Sequence, residues 1–427
     1  MLLHVFVLFG RWTAVRSSRP RSRNPVRRGW AWRHYRAVRN ERHVRGELRM
    51  SGDLDAGQGE RIASWLILSV RVVLSRSPFV ITIDGCAYSG QGIMSEPKTV
   101  GDVPAARRVG EADDRLDLVR YATMAASSHN TQPWKFRLEP DRIVILPDFG
   151  RRCAAVDPDD HHLYASLGCA AENLLQAARA VGFEGRCSFD AVSSGVRIDL
   201  SKALPLRSPL FEAIPQRQCS RSEYDGSHLS ADELHRLEEA GTANGVSVML
   251  IVDERKREQI AEFVAQGNTA QFADAAWVDE LGSWIRFNAG DAMRSGDGLY
   301  GPAMGSPAVP RWLGMLFMRF GFSAKQQNRK DIRCIRSSSA IAVFHSDADD
   351  IAHWIEAGRC YQRLALQATA LGLCTAFINQ PVEVARLRPA FARFLGIGDR
   401  RPDLVIRIGR GPRMPRSPRR PVADVVV

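Results

Sequence analysis

Two stretches of this 427-residue chain repeat one another, and they constrain its fold more than anything else in it. "GCAAENLLQAARAVGF" at 168–183 aligns with "GRCYQRLALQATALGL" at 358–373, at an offset of 190 residues. Gly168/Gly358, Leu174/Leu364, Ala178/Ala368, Ala180/Ala370 and Gly182/Gly372 coincide. Both stretches have helical composition and few charges. A helix that is apolar nearly all round must sit inside a core. Two such helices predict two halves, each built around its own central helix, with a glycine at both ends of each repeated stretch and the second closing the helix.

The flanking pattern fills in the halves. Helices are expected over 116–126, 162–181, 232–240, 255–271, 277–288 and 351–371. Strands are expected over 134–138 and 142–146, which form a hairpin around Glu139-Pro140-Asp141, and over 196–200, 246–252, 339–345 and 403–408. This is an α+β pattern with antiparallel-dominated sheets. Residues 94–205 read as the first half and 206–427 as the second. Residues 289–331 interrupt the second half with Gly, Pro and large apolar side chains, among them Tyr300, Trp312, Leu316, Phe317, Met318, Phe320 and Phe322, which is too apolar for a disordered linker. They read as a lid, with a short amphipathic helix as the alternative.

Net charge is +12, but its location removes most of its meaning. Residues 1–50 carry 13 Arg, no Lys and two Glu, whereas the rest of the chain holds 46 basic and 45 acidic groups. Residues 1–93 are Arg-rich and aperiodic, and are expected to be an extension that is disordered or not native to the fold, with Met94 as a plausible start. A nucleic-acid arm is the other reading of that run, and none is expected. The eight Cys form no Cys-x-x-Cys pair and no Cys/His metal spacing. A reducing cytoplasmic compartment follows, and His161-His162 are not read as metal ligands. The longest apolar run, Ile62 to Leu74, contains Arg71 and is shorter than the ~20 residues of a membrane span, so no membrane partner is expected.

Two polar segments carry the chemistry. "AASSHNTQPWKFRL" sets small polar residues, Ser127, Ser128, His129, Asn130, Thr131 and Gln132, ahead of Pro133-Trp134 and a strand. "IPQRQCSRSEYDG" at 214–226 holds Arg217, Cys219 and Arg221. The first resembles the Ser-Ser-x-Asn-x-Gln-Pro-Trp segment of the FMN-dependent nitroreductase superfamily. The second is similar to that superfamily's Arg-x-Ser-x-Arg phosphate motif. The C-terminal "RPDLVIRIGRGPRMPRSPRRPVADVV" resembles its last strand and basic tail. The likeness is nearest to mycobacterial-type members, in which two halves of one chain imitate the usual homodimer and a lid covers the flavin.

The resemblance implies FMN as cofactor. Arg217 and Arg221 would meet its phosphate through forked, charge-assisted hydrogen bonds. The 127–132 loop would meet its ribityl chain or ring edge. Arg410 would be the late cation, with Arg407, Arg413 and Arg416 competing for that place. Cys219 reads as a small packing group, and no catalytic side chain is named. The first half has the polar loop but no arginine motif, and the second half the reverse, so one composite site per chain is expected. The implied activity is reduction of nitroaromatic or quinone-like acceptors by NADPH or NADH, in a monomer acting as a pseudo-dimer or in a homodimer. An FMN store sealed by its lid is the alternative.

Overall fold

The computed structural model describes the backbone of residues 31–40, 43–56, 60–73 and 80–89, and residues 114–427. The chain separates into two units, Met1–Pro97 and Lys98–Val427. In the first, β1 (Ala31–Asn40), β2 (His43–Ala56), β3 (Glu60–Val73) and β4 (Val80–Ser89) form an antiparallel meander in chain order. The sequence had suggested no regular element there. Met94 lies outside the described residues.

The second unit opens with α1 (Asp114–Thr123), the hairpin β5 (Trp134–Glu139) and β6 (Arg142–Pro147), and α2 (His161–Ala180). Then come β7 (Phe183–Asp190), β8 (Gly195–Lys202), α3 (Pro209–Ala213), α4 (Ala231–Gly241), β9 (Val246–Ile251) and α5 (Glu254–Phe272). Next are α6 (Arg311–Phe320), α7 (Ala324–Arg336), β10 (Ala340–Ser346), α8 (Ile351–Ala370), β11 (Cys374–Phe377) and β12 (Pro402–Gly409). One sheet has the order β5-β6-β8-β7 and the other β11-β12-β10-β9, and every pairing named in them is antiparallel.

The repeated helices α2 and α8 meet in the core. A Cβ on Gly168 would lie 1.9 Å from the Ile355 carbonyl oxygen, and one on Gly358 would lie 1.9 Å from that of Ala165. The contact is reciprocal, as a two-fold relation between halves requires. Cys169 Sγ donates to the Gly358 carbonyl at 3.2 Å in the same crossing. Only residues without a side chain permit backbones this close.

The chain's last residues return to the first half. Phe136 N donates to the Val425 carbonyl at 2.7 Å, and Val427 N to the Phe136 carbonyl at 2.9 Å. This extends the first sheet at β5 and carries the basic tail, 410–421, past the polar loop. Expected helix 277–288 is shorter: it runs Ala275–Trp284 and passes into a two-residue strand, Ile285–Arg286. The interruption at 289–331 is more ordered than its composition suggested, since it contains α6 and the start of α7.

Candidate functional site

The polar loop is a strained turn. His129, Asn130 and Gln132 have φ of 47°, 55° and 53°, a left-handed conformation that non-glycine residues rarely adopt. Such residues cost about 1–3 kcal/mol each and persist where surroundings over-determine them. Here the surroundings do so through side chains. Gln132 N donates to Ser127 Oγ at 3.1 Å. Gln132 Nε2 donates to the Gly296 carbonyl at 2.9 Å, and its Oε1 accepts from Arg420 N at 2.8 Å. Asn130 Nδ2 donates to the carbonyls of Gly298 and Pro418, both at 3.1 Å. The loop is thus pinned to residues 296–298 and to the C-terminal tail.

This divides the six loop residues. Ser127 and Asn130 line a cleft of about 310 Å³, a size that suits a small-molecule site. Ser128, His129, Thr131 and Gln132 do not line it. Thr131 and Gln132 are buried. His129 lies against Cys153, Nδ1 to Sγ 3.4 Å, and burial, then the nearby Arg221 charge, pushes its ring down to about 4. Trp134 is fully buried and packs in the core behind the loop.

Arg217, Gln218, Cys219 and Arg221 line the opposite wall. Their segment is held by β11: Cys219 forms a parallel bridge with Thr375, and Ser220 N donates to the Thr375 carbonyl at 2.9 Å. Arg407, 2% exposed, braces it from below, donating to the carbonyls of Ser220 at 3.1 Å and Ser222 at 2.7 Å. Its guanidinium sits 4.0 Å over the Tyr224 ring. Arg407 therefore positions the motif and does not enter the cleft.

Arg410 is not at the cleft either. It is ion-paired with Glu233 and reaches Ser227 Oγ at 3.4 Å. The late cations there are Arg416 and Arg419, with Arg420 beside them. Arg416 was among the competitors in the sequence; Arg419 was missed. The tail holds too many arginines for spacing alone to choose between them.

The charge balance at this end of the cleft is unusual. Arg217 is 6% exposed, yet among the described residues its only bond is Nη2 to the Met124 carbonyl at 3.4 Å. Its Nε and Nη1 have no partner. Arg419 donates to the carbonyls of Thr123 at 3.1 Å and Ala125 at 3.3 Å, just past the C-terminus of α1, where a cation complements the helix dipole. Burial, then the charges of Arg217 and Arg416, pushes Arg419 down to about 9. Burial and the Arg217 charge also lower Arg416. Among the described residues, none of these three guanidiniums has a carboxylate partner. Buried donors and charges are strongly penalised without partners, so this end is built for an anion with several acceptor oxygens.

The far end contains Leu299, Tyr300, Ala303 and Met304 from the 289–331 segment, with Phe377 and Arg221 nearby on the cleft wall. Lys330 Nζ donates to the Met304 carbonyl at 2.7 Å, and Arg221 helps to lower its pKa after burial.

Away from the cleft, Asp157, His161 and His162 bring ligand-type atoms within 4.8 Å of one another. Asp157 is occupied as the cap of α2, accepting from the backbone N of His162 at 3.0 Å and of Leu163 at 2.9 Å. His162 Nδ1 pairs with Asp157 at 3.2 Å and His161 Nε2 with Asp403 at 2.9 Å. These contacts make the group part of the helix start.

No family model matches the chain. Among curated proteins it is similar to "Putative NAD(P)H nitroreductase Rv3131" of Mycobacterium tuberculosis, 25% identical over 350 residues, covering 76% of this chain and 95% of that protein. It is also similar to "Putative NAD(P)H nitroreductase acg" of the same organism, 23% identical over 332 residues, covering 72% and 93%. Among solved structures, the FMN-dependent nitroreductase NfnB of Mycobacterium smegmatis in complex with NADPH is 13% identical, covers 51% of this chain and 96% of its own, and has a TM-score of 0.35. A nitroreductase with bound FMN from Bacteroides fragilis is 14% identical, covers 48% and 90%, and has a TM-score of 0.30. Scores this low carry no argument. The weight rests on the curated relatives: the chain is similar over nearly their whole length to proteins named putative NAD(P)H nitroreductases, and residues of both motifs line one cleft.

Proposed function

We propose that the chain is an FMN-dependent NAD(P)H oxidoreductase that reduces small electron-poor acceptors of the nitroaromatic or quinone type. The observation that carries this reading is the set of uncompensated guanidiniums, Arg217, Arg416 and Arg419, with the unpartnered Nε and Nη1 of buried Arg217. A phosphate fits them: it is dianionic, has several acceptor oxygens and accepts forked bonds from arginine. The relatives' names support the rest: both are called putative NAD(P)H nitroreductases.

In this reading Arg217, Arg416 and Arg419 hold the phosphate. Ser127 would offer its hydroxyl, and Asn130 its amide oxygen, to the polar middle of the cofactor. Arg221, also on the cleft lining, would add a positive charge that favours the reduced flavin. Tyr300, Met304 and Phe377 supply the apolar wall that keeps water from the ring. Bound FMN supplies two-electron transfer between nicotinamide and acceptor, and no protein side chain is asked to be a catalytic acid or base.

The test is a visible spectrum of the full chain, reconstituted with FMN under argon, before and after NADPH or NADH. Bleaching by a nicotinamide supports the oxidoreductase. Bleaching by dithionite alone supports a closed FMN store. A colourless protein that takes up no FMN contradicts both.

A further inference from the structure

Among the described residues, the outer face of α6 is exposed, and its chemistry points to a lipid surface. The helix reads Arg-Trp-Leu-Gly-Met-Leu-Phe-Met-Arg-Phe. Among its residues with described burial, only Gly314 and Met318, one turn apart, are buried. They seat the helix on Phe287, whose ring lies so close that a Cβ on Gly314 would come within 2.1 Å of it. The residues pointing elsewhere are apolar as well. Trp312 is 69% exposed, Phe317 55%, Leu316 49%, Met315 43% and Leu313 39%. At 100° per residue they cover well over half the helix circumference. Contiguous exposed apolar groups of this kind mark interaction sites in soluble proteins.

Charge selects the occupant. From Gly298 to Lys330 the chain has five basic residues and no acidic one. Arg311 and Arg319 bracket the apolar face, and Lys325 and Arg329 follow on α7. Arg311, Lys325 and Arg329 are exposed and have no carboxylate partner among the described residues. A second copy of the chain fits this poorly. In an antiparallel two-fold pairing of α6, Arg311 of one copy would face the other copy's Arg319, and a parallel pairing sets like against like. An apolar face carrying Trp and Phe, rimmed by cations, is the pattern of a helix that lies in the interface of an anionic bilayer.

We propose that α6 docks the protein on anionic lipid, with Trp312, Leu316 and Phe317 entering the headgroup boundary. This is peripheral association: among the described residues no helix is long and apolar enough to cross a membrane. It departs from the sequence-based expectation that no membrane is involved, and the vesicle experiment below decides between the two. Docking does not depend on the redox reading. Met318 on α6 and Leu299 on the cleft wall belong to one apolar cluster, so docking would also set this wall of the cleft close to the lipid.

The test uses the full chain and vesicles of phosphatidylcholine with about one third phosphatidylglycerol. The basic N-terminal residues would also attract anionic vesicles, so the comparison is between full-length proteins that differ only on α6. The triple variant Leu313→Ser, Leu316→Ser, Phe317→Ser should bind at least tenfold more weakly, with an unchanged far-ultraviolet circular dichroism spectrum. Brominated lipid should quench part of the tryptophan emission, and Trp312→Phe should remove that part. The second readout stands if the triple variant fails to fold. Equal vesicle binding by a folded triple variant would overturn the proposal. So would quenching unchanged in Trp312→Phe. A dimer in solution without lipid, dissociated by the triple variant, would assign the face to self-association instead.

Discussion

The two walls of the cleft solve opposite problems. In the loop 127–132, the amide nitrogen of Asn130 and both the donor and the acceptor of Gln132 are answered by the protein itself, through Gly296, Gly298, Pro418 and Arg420. Across the cleft, Arg217 is just as buried, yet two of its donor nitrogens are unanswered, and Arg416 and Arg419 add like charge beside it. The first wall is a closed network whose work is to hold a strained backbone. The second is an open one, tolerable only if something outside the chain completes it. Polar composition does not distinguish the two; counting partners does.

The largest expected effect is on the open wall. Arg217→Ala should weaken FMN binding roughly 100-fold, the loss of one to two charge-assisted bonds at about 1.4 kcal/mol per tenfold. The flavin-free protein should be no less stable, because a buried, poorly bonded cation has gone. Flavin fluorescence titration and thermal melting check the two halves of this statement. A clear fall in apoprotein melting temperature would show that Arg217 is structural after all.

Gln132→Ala should do the reverse. It strands the Gly296 carbonyl and the Arg420 amide, and should cost about 2 kcal/mol of stability, measured by denaturant unfolding. Any effect on FMN affinity should stay below about tenfold. A 100-fold loss of flavin with unchanged stability would move Gln132 from scaffold to ligand.

Arg410→Ala should change little on either count: its pair with Glu233 is partly exposed, and such pairs are worth about 0–1 kcal/mol. An FMN affinity reduced as far as in Arg217→Ala would reinstate Arg410 as the late cation.

Outside the comparison, burial raises Asp403 to about 7, against 3.8 for a free carboxyl. The native state therefore holds a proton that the unfolded chain has lost, and stability should fall as pH rises from about 4 to 7. Asp403→Asn, which imitates the protonated acid beside Ser346 and His161, should flatten that slope in melting experiments. An unchanged slope would assign the pH dependence to other groups.

The sequence was readable where periodicity was strong. Helix α8 was expected at 351–371 and runs Ile351–Ala370, and α2 was expected at 162–181 and runs His161–Ala180. Strand β7 was missed: its burial alternates between exposed and half-buried, and Gly185 and Arg186 interrupt any β-branched run. Helix α6 was read as part of a loop, because Pro307 and Pro310 precede it and Gly314 breaks its apolar run. At the site, the sequence named both walls. It could not say that Arg407 and Arg410 are held away from the cleft by Ser220, Ser222 and Glu233 while Arg416 and Arg419 line it, since those partners lie 177 or more residues away.

The central claim is that the unanswered arginines are there for a phosphate. It is tested most directly by titrating the protein with FMN and with riboflavin, which differ by that phosphate alone. The account predicts that FMN binds about 100-fold more tightly than riboflavin, and that Arg217→Ala removes most of the difference. Equal affinity for the two flavins, or a preference for FMN untouched by Arg217→Ala, would contradict it.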